Sequence, residues 1–269
     1  MSPDSRPYSI TASIKDYLLG LQESGVDGIP GEGRDSGLVT RERSASFEPI
    51  EASPAVAPIV QVTAVSQQDK TVYTRHESLD KTRKDLGDCQ LCQLGRSRKK
   101  LVFGVGNPQA RIVFVGEWPG VDEDQQGEPF VGEAGQVLNR IITAMGLKRD
   151  EIYICNVVKC CPPDKRDPHQ EEIESCLPFL LKQIQSIKPE VVVTLGKFST
   201  QILLGLNDPI TRLRGKFHDY HGVPLMPTYH PSYLSSNKGD AGLFWDVWED
   251  MVQVLQLLKL PVPEKSRKR

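Results

Sequence analysis

One glycine-rich loop in the middle of the chain carries both a carboxylate and an aromatic side chain. Glu117 lies in the sequence GEWPG at 116–120, and Phe130 lies in GEPFVGEAG at 127–135. A carboxylate can hold a water molecule or accept a proton, and an aromatic ring can stack on a flat ligand. Glycine and proline at this density indicate, by themselves, only a turn. Two distant polar residues favour a binding pocket instead.

These two polar residues belong to predicted strands. Asn156 interrupts the apolar run IYICNVV at 152–158, while His230 follows the run VPLMPTY at 223–229 and precedes Pro231. A buried amide without a hydrogen bond costs about 1–3 kcal/mol, so Asn156 either serves the backbone or faces a ligand. Its donors and its carbonyl oxygen can pair with an imide edge. The proline holds the backbone beside the histidine.

Alternating strands and helices must position these groups. The apolar run at 111–115 predicts a strand, the spacing of apolar residues predicts helices at 135–142, 171–187, 197–204 and 242–258, and 191–196 predicts another strand. This order predicts an α/β fold: a three-layer α/β/α domain with a central, mostly parallel four-stranded sheet. Ligands of such sheets bind at the carboxyl ends of the strands, where the glycine-rich loop, Asn156 and His230 all fall.

The GEWPG loop with its PFVG extension, the NVVKC segment at 156–160 and the HPS box at 230–232 resemble, in this order, the uracil-DNA glycosylase superfamily, family 4. The resemblance covers about residues 81–258 and implies a glycosylase domain over 81–260. It implies a DNA repair enzyme that flips uracil out of DNA and hydrolyses its N-glycosidic bond. The products would be free uracil and an abasic site.

The resemblance also implies a role for each motif residue. Glu117 and His230 would be catalytic: Glu117 would position or activate water, and His230 would donate a hydrogen bond to O2 of the leaving uracil. Gly116, Phe130 and Asn156 would bind the base together with His230. Ser232 and Leu234 would contact DNA, with Leu234 a candidate wedge for the vacated stack.

The chain has six cysteines, and four of them form two pairs of metal-ligand type. By spacing alone, these pairs can hold an iron–sulfur cluster or zinc, and disulfides are disfavoured without a secretory signal. The resemblance implies a [4Fe–4S] cluster held by Cys89, Cys92, Cys160 and Cys176. Cys155 is predicted to be a core residue. Cys161 stands where the family usually carries another residue and could compete as a ligand.

Two departures from the family pattern keep alternatives open. Trp118 stands where the family usually has a small residue, and it could narrow the pocket or contact DNA. His169 follows Cys160 in a region where some relatives trap uracil-DNA covalently through a histidine, although the chain lacks their full Arg- and His-rich insert. Covalent trapping is therefore one alternative. A catalytically inactive iron–sulfur module that binds DNA is the other.

Residues 1–80 are predicted to be a mostly disordered, flexible N-terminal extension. Residues 24–70 are rich in Gly, Pro, Ser and charge, and bury too little apolar surface to offset the entropy of ordering. Within the extension, SITASIKDYLLGLQ at 9–22 predicts a short amphipathic helix. Such a helix can dock in a groove of a protein partner or pack on its own domain, and both readings stay open. Residues 261–269 are predicted to be a basic tail.

Charge and hydropathy set weaker limits. The net charge is −2; the first 80 residues hold 7 Lys and Arg against 12 Asp and Glu, and the remainder holds 26 against 23. The mild basic excess of the remainder permits a DNA-binding face without requiring one. The sequence shows no apolar run of membrane length and no secretory signal. We therefore expect a cytoplasmic monomer that acts on uracil-containing DNA and has no membrane partner.

Overall fold

The computed structural model describes residues 78–264, with the side chain of Lys165 excepted. The predicted extension up to residue 77, its amphipathic helix and the last five residues of the predicted tail lie outside the described residues. No helix within residues 78–264 is both long and apolar enough to cross a bilayer.

Six strands form one sheet in the order β1-β3-β2-β4-β6-β5. They are β1 (Val105–Gly106), β2 (Ile112–Gly116), β3 (Tyr153–Asn156), β4 (Val191–Leu195), β5 (His218–Tyr220) and β6 (Val223–Thr228). The four inner strands, β3, β2, β4 and β6, run parallel, and the short edge strands β1 and β5 pair antiparallel to them. The predicted parallel centre is confirmed. The two edge strands, of two and three residues, are too short for their periodicity to have indicated them.

Helices fill the connections. They are α1 (Leu79–Leu86), α2 (Leu94–Ser97), α3 (Val121–Gln126), α4 (Glu133–Ala144), α5 (Gln170–Ile187), α6 (Lys197–Leu204), α7 (Ile210–Leu213), α8 (Pro231–Ser236) and α9 (Ala241–Leu257), with a 3-10 turn at Pro163–Lys165. The four predicted helices correspond to α4, α5, α6 and α9. The short helices α3 and α8 were not predicted, and both border the site described below.

The sheet separates two apolar cores. Phe114 of β2 packs on one face with residues of α4 and α9, and its neighbours Val113 and Val115 pack on the other face with residues of α5 and α6. Successive side chains of a strand point to opposite faces, so a strand covered on both sides is apolar throughout. All five residues of β2 are accordingly buried. This arrangement confirms the predicted three-layer α/β/α architecture.

Candidate active site

A cavity of about 260 Å³ opens at the carboxyl ends of β2, β3 and β6. Its lining residues come from four separate segments: Glu117, Trp118, Gly120, Glu123, Phe130, Ala134, Asn156, His230 and Ser232. The structure therefore brings together five of the residues that the sequence singled out. Gly116 ends β2 directly before Glu117, and Leu234 does not line the cavity.

Asn156 presents an unpaired acceptor to this cavity. The residue is 2% exposed, and its Oδ1 is the one buried side-chain nitrogen or oxygen of the described residues that lacks a hydrogen-bond partner. Leaving such an atom unpaired costs about 1–3 kcal/mol. A ligand with an N–H group at this point would recover that free energy.

Phe130 forms a wall of the cavity in a constrained conformation. Its φ of 54° is left-handed, which is uncommon for an aromatic residue. Its ring centroid lies 5.8 Å from that of His230. A Cβ at position 116 would lie 2.3 Å from Asn156 Oδ1 and 2.6 Å from the Phe130 ring, so glycine at 116 is what allows the ring and the amide to face the same space.

Glu123 fastens the loop that carries Phe130. Its carboxylate accepts hydrogen bonds from the backbone N–H groups of Gly120 at 3.0 Å, Val131 at 2.9 Å and Gly132 at 3.0 Å. These three bonds join the two ends of the loop segment that includes α3. This role of Glu123 was not predicted, although an acidic residue at the start of a helix is a recognisable signal.

His230 is held as a neutral imidazole with a defined tautomer. The backbone N–H of Ser232 donates to Nδ1 at 3.2 Å, and Ser232 Oγ lies 2.6 Å from the same nitrogen. Because a backbone N–H only donates, Nδ1 must be the acceptor and the proton resides on Nε2. Burial lowers the pKa of His230 to about 4, so the ring stays uncharged near neutral pH.

Glu117 is a half-buried carboxyl group beside this histidine. Burial raises the pKa of Glu117 to about 7; the backbone N–H of Phe198 opposes the rise and the charge of Asp167 adds to it. The Phe198 N–H donates to Glu117 Oε1 at 3.4 Å. Gly196 makes room for the pair, since a Cβ there would lie 2.7 Å from Glu117 Oε1 and 2.9 Å from His230 Cβ.

Two exposed apolar residues are sequence neighbours of residues that line the cavity. Val121 follows Gly120 and is 51% exposed, and Tyr233 follows Ser232 and is 49% exposed. Leu234, the predicted wedge, is instead partly buried against the apolar core beneath α4 and α9. Helix α8 thus turns Tyr233, rather than Leu234, toward solvent.

The four predicted metal ligands meet at a second site. Cys89, Cys92, Cys160 and Cys176 line one cavity of about 10 Å³. The Arg98 guanidinium donates to Cys160 Sγ at 3.4 Å. All six cysteines, these four included, are free thiols, so the disulfide alternative is wrong.

The donors at this second site are four sulfur atoms. Within the described part of the chain, no three Cys, His, Asp or Glu side chains are grouped as ligands of a metal ion. Four cysteines are the usual ligands of an iron–sulfur cluster, and four thiolates can also hold zinc. Cys155 and Cys161 do not line the cavity.

Two further residues lie apart from the 260 Å³ cavity. His169, the candidate residue for covalent trapping, precedes α5 and lines a separate, open cavity of about 710 Å³ with Cys92 and Arg96. Arg214, directly after α7, pairs with the buried Asp250 at 2.9 Å. Asp250 also accepts from Thr228 Oγ1 at 2.6 Å, next to the end of β6, so Arg214 braces the strand that leads to His230.

The fold and the cavity define an α/β/α protein with a base-sized polar pocket at its strand ends, and sequence comparison assigns its family. A family model described as the uracil DNA glycosylase superfamily matches residues 103–252, which contain every residue that lines the cavity. The chain belongs to this superfamily.

Similar proteins point to one branch of it. The chain is 43% identical over 164 residues to a type-4 uracil-DNA glycosylase of Archaeoglobus fulgidus, which covers 58% of this chain and 82% of the relative. It is 43% identical over 171 residues to the type-4 enzyme of Thermotoga maritima, covering 63% and 89%. A type-4 enzyme of Saccharolobus solfataricus is 43% identical over 165 residues, covering 58% and 76%. The predicted resemblance is confirmed.

Proposed function

We propose that the protein excises uracil from DNA. It binds a uracil nucleotide that has been rotated out of the base stack in the 260 Å³ cavity and hydrolyses the N-glycosidic bond, which leaves an abasic site. The observation that carries this proposal is the buried, unpaired Oδ1 of Asn156 beside the Phe130 ring. The type-4 relatives support the same activity.

Recognition of the base rests on the amide and the ring. Asn156 Oδ1 accepts the N3–H of uracil, and Phe130 stacks on the base. Cytosine has no proton at N3, so it would leave the buried oxygen unpaired, and this penalty of about 1–3 kcal/mol discriminates against it. Rotating the nucleotide out of the stack costs a few kcal/mol, which these contacts offset.

Bond cleavage relies on His230. As the glycosidic bond stretches, negative charge grows on uracil O2, and the neutral Nε2–H of His230 donates a hydrogen bond to it. The Ser232 N–H on Nδ1 fixes this tautomer before the base arrives. A donor that is already oriented stabilises the developing anion at no cost of reorganisation.

Glu117 acts on the water that completes the reaction. Its carboxylate orients a water molecule toward the sugar carbon, accepts a proton as the water adds, and later releases that proton to solvent. The pKa of about 7 lets Glu117 serve as an acceptor at neutral pH. The departing uracil anion takes its proton from solvent.

A [4Fe–4S] cluster bound by Cys89, Cys92, Cys160 and Cys176 fits the second site. Hydrolysis of a glycosidic bond transfers no electrons, so the cluster needs no redox role. When bound, it would supply a cross-link and local negative charge. The four cysteines then tie the segment between α1 and α2 to Cys160 in the loop after β3 and to Cys176 on α5. This assignment is supported by the four-thiol donor set and by the type-4 relatives.

The surroundings of the site favour turnover by a single chain. His169, the candidate for covalent trapping, does not line the base-binding cavity. A monomeric enzyme is part of the same proposal. Free thiols suit a reducing cytoplasm. A protein partner for residues 9–22 also remains a proposal.

The test is incubation of the protein with a labelled oligonucleotide containing one uracil, analysed on denaturing gels with and without alkali. We expect cleavage only after alkali and none with thymine at the same position. Asn156→Ala should reduce the rate at least about 10-fold, while Lys148→Ala, a change at an exposed lysine after α4, should not. An adduct that survives without alkali would indicate trapping, and no product would indicate an inactive binding module.

A further inference from the structure

Lys159 is a buried lysine between the two sites, and burial lowers the pKa of its side chain. Its side chain is 0% exposed. Its Nζ donates to the backbone carbonyl of Asn156 at 2.6 Å and to Gln183 Oε1 at 2.5 Å, and within residues 78–264 no carboxylate forms an ion pair with it. Burying a cation that only neutral carbonyl groups receive is costly. Other interactions of Lys159 must offset this free-energy cost.

The other contacts of Lys159 lead to the cysteine site. Its backbone N–H donates to Cys176 Sγ at 3.3 Å, the next residue is Cys160, and Lys159 itself lines the cavity of the four cysteines. One residue therefore contacts both the thiols and the residue that would read uracil.

Gln183 makes this link rigid. It extends from α5, the helix that carries Cys176, and its Nε2 donates to the Phe103 carbonyl at 2.8 Å and to Tyr153 Oη at 3.3 Å. Tyr153 begins β3, the strand that ends at Asn156. A shift of α5 relative to β3 would thus displace Gln183 and Lys159, and with them the hydrogen bond to the Asn156 carbonyl.

Charge favours the same arrangement. Thiolate ligands at Cys160 and Cys176 would place negative charge near Lys159, and a nearby anion offsets the cost of burying an ammonium group. The ammonium is then held where it donates to the Asn156 carbonyl and fixes the backbone that aims Oδ1 into the cavity.

We propose that Lys159 is a positioning residue that couples occupancy of the cysteine site to uracil binding, by holding Asn156 in place while the thiolates and their metal group hold Lys159. This inference rests on the proposed function and on the proposed cluster. Through this coupling, a cluster that has no redox role would contribute to recognition of the base.

Coupling between two sites is reciprocal, so a bound uracil should also protect the cluster. The probe is an oligonucleotide with 2′-fluoro-2′-deoxyuridine, whose glycosidic bond resists cleavage, and the readout is the rate at which a chelator removes iron from the loaded protein. In the wild-type protein we expect this DNA to slow iron release about 5-fold more than the same DNA with thymine, which corresponds to a modest coupling free energy.

Lys159→Met keeps the length and removes the charge. We expect it to bring the ratio of iron-release rates with the two DNAs to within about 2-fold of one, and to raise KM for uracil-DNA about 10-fold with little change in kcat. Lys148→Met, at an exposed lysine after α4, should behave as wild type. A lysine with a structural role alone would lower the melting temperature but leave the two-DNA ratio unchanged, and that outcome would overturn the inference.

If Lys159→Met does not retain iron, Gln183→Leu removes one of the two acceptors of Nζ and is tested in the same way. Undiminished protection by the uracil analogue in Gln183→Leu would then refute the coupling. Failure of the proposed function looks different, because a wild-type protein without that function would bind the uracil and thymine oligonucleotides equally tightly.

Discussion

Glu117 and His230 have opposite pKa shifts from one cause, which is removal from water. Burial disfavours the charged form of each group, so the pKa of the carboxyl rises to about 7 and that of the imidazole falls to about 4. Above about pH 7 the pair is therefore an ionised carboxylate beside a neutral donor. This is the combination that a leaving anion and an attacking water require.

The pH dependence of excision follows from these values. Glu117 is protonated below its pKa, so kcat/KM on single-stranded uracil-DNA should rise with pH through about 7 and then level off. His230 stays neutral over this pH range, so it adds no second ionisation to the pH profile of kcat/KM. The Glu117→Gln variant should excise uracil more slowly, and its kcat/KM should no longer rise with pH. An unchanged rise in this variant would assign the titration to another group.

The same group should affect stability in the opposite direction. The pKa of Glu117 is 4.5 in the unfolded chain and about 7 in the folded chain. Between these two pH values, the folded state therefore binds more protons than the unfolded state. The free energy of unfolding therefore falls as pH rises through this interval. Glu117→Gln should melt higher than wild type at pH 8 and about equally at pH 4, as differential scanning calorimetry can measure. A variant that melts lower at pH 8 would contradict the assigned burial cost.

Trp118 stands where the resemblance predicts a small residue. Its indole lines the cavity and packs edge-on against Phe198, with ring centroids 4.9 Å apart. Trp118→Ala should enlarge the cavity and raise the rate on 5-hydroxymethyluracil relative to uracil by about 10-fold, since a pocket discriminates small groups by about 1–3 kcal/mol. Competition between the two labelled substrates measures the ratio. Trp248→Phe is a control for general loosening of the core.

The main groups of the cavity could be found from the sequence, whereas their supports could not. Glu117, Phe130, Asn156 and His230 follow strands or a glycine-rich loop, and parallel topology brings such positions together. Gly196 and Phe198 contact Glu117 from a segment far away in the chain, and Lys159 reaches Gln183 on α5. No local periodicity encodes such contacts. Only the folded backbone shows them.

At the scale of elements, the short helix α8 decides which of Tyr233 and Leu234 is exposed to solvent. Pro231 begins it, and the Tyr233 N–H donates to the His230 carbonyl at 2.9 Å. This turn directs Leu234 toward the core and leaves Tyr233 exposed beside Tyr229, with ring centroids 5.4 Å apart. The sequence suggested Leu234 because it lies beside Tyr233 in the loop, and a six-residue helix gives too little pattern to fix its faces.

A pair of variants separates the two residues. Leu234→Ala should lower the free energy of unfolding by about 1–2 kcal/mol, as expected for a partly buried leucine, and should leave excision from single strands intact. Tyr233→Ala should slow excision from duplex more than from single strands, because an exposed ring can occupy the gap left by a rotated base. Equal losses on both substrates in Tyr233→Ala would exclude this role, and a duplex-specific loss in Leu234→Ala would restore the original prediction.

At the scale of the whole molecule, the cysteine site joins parts of the chain that the sheet does not. Helix α1 packs on α5 through the buried Thr82 and Leu86, but residues 87–101 contain little regular structure. A cross-link between Cys92 and Cys160 closes a long loop, and in the chain-entropy model such a closure is worth about 4 kcal/mol. The cluster would therefore stabilise the region that also holds Lys159.

Removing one predicted ligand, Cys89, tests whether the cluster stabilises this region. Cys161, next to the predicted ligand Cys160, provides the matched control. Cys89→Ala should lose the visible absorbance of the cluster and most of the bound iron, and its melting temperature should fall by several degrees, since about 1 kcal/mol shifts the melting of a domain of this size by about 2–4 °C. Cys161→Ala should keep the iron and the stability, because Cys161 does not line the four-cysteine cavity. Loss of iron in Cys161→Ala, with iron retained in Cys89→Ala, would mean that the two cysteines exchange roles and that the segment after α1 is held by packing alone.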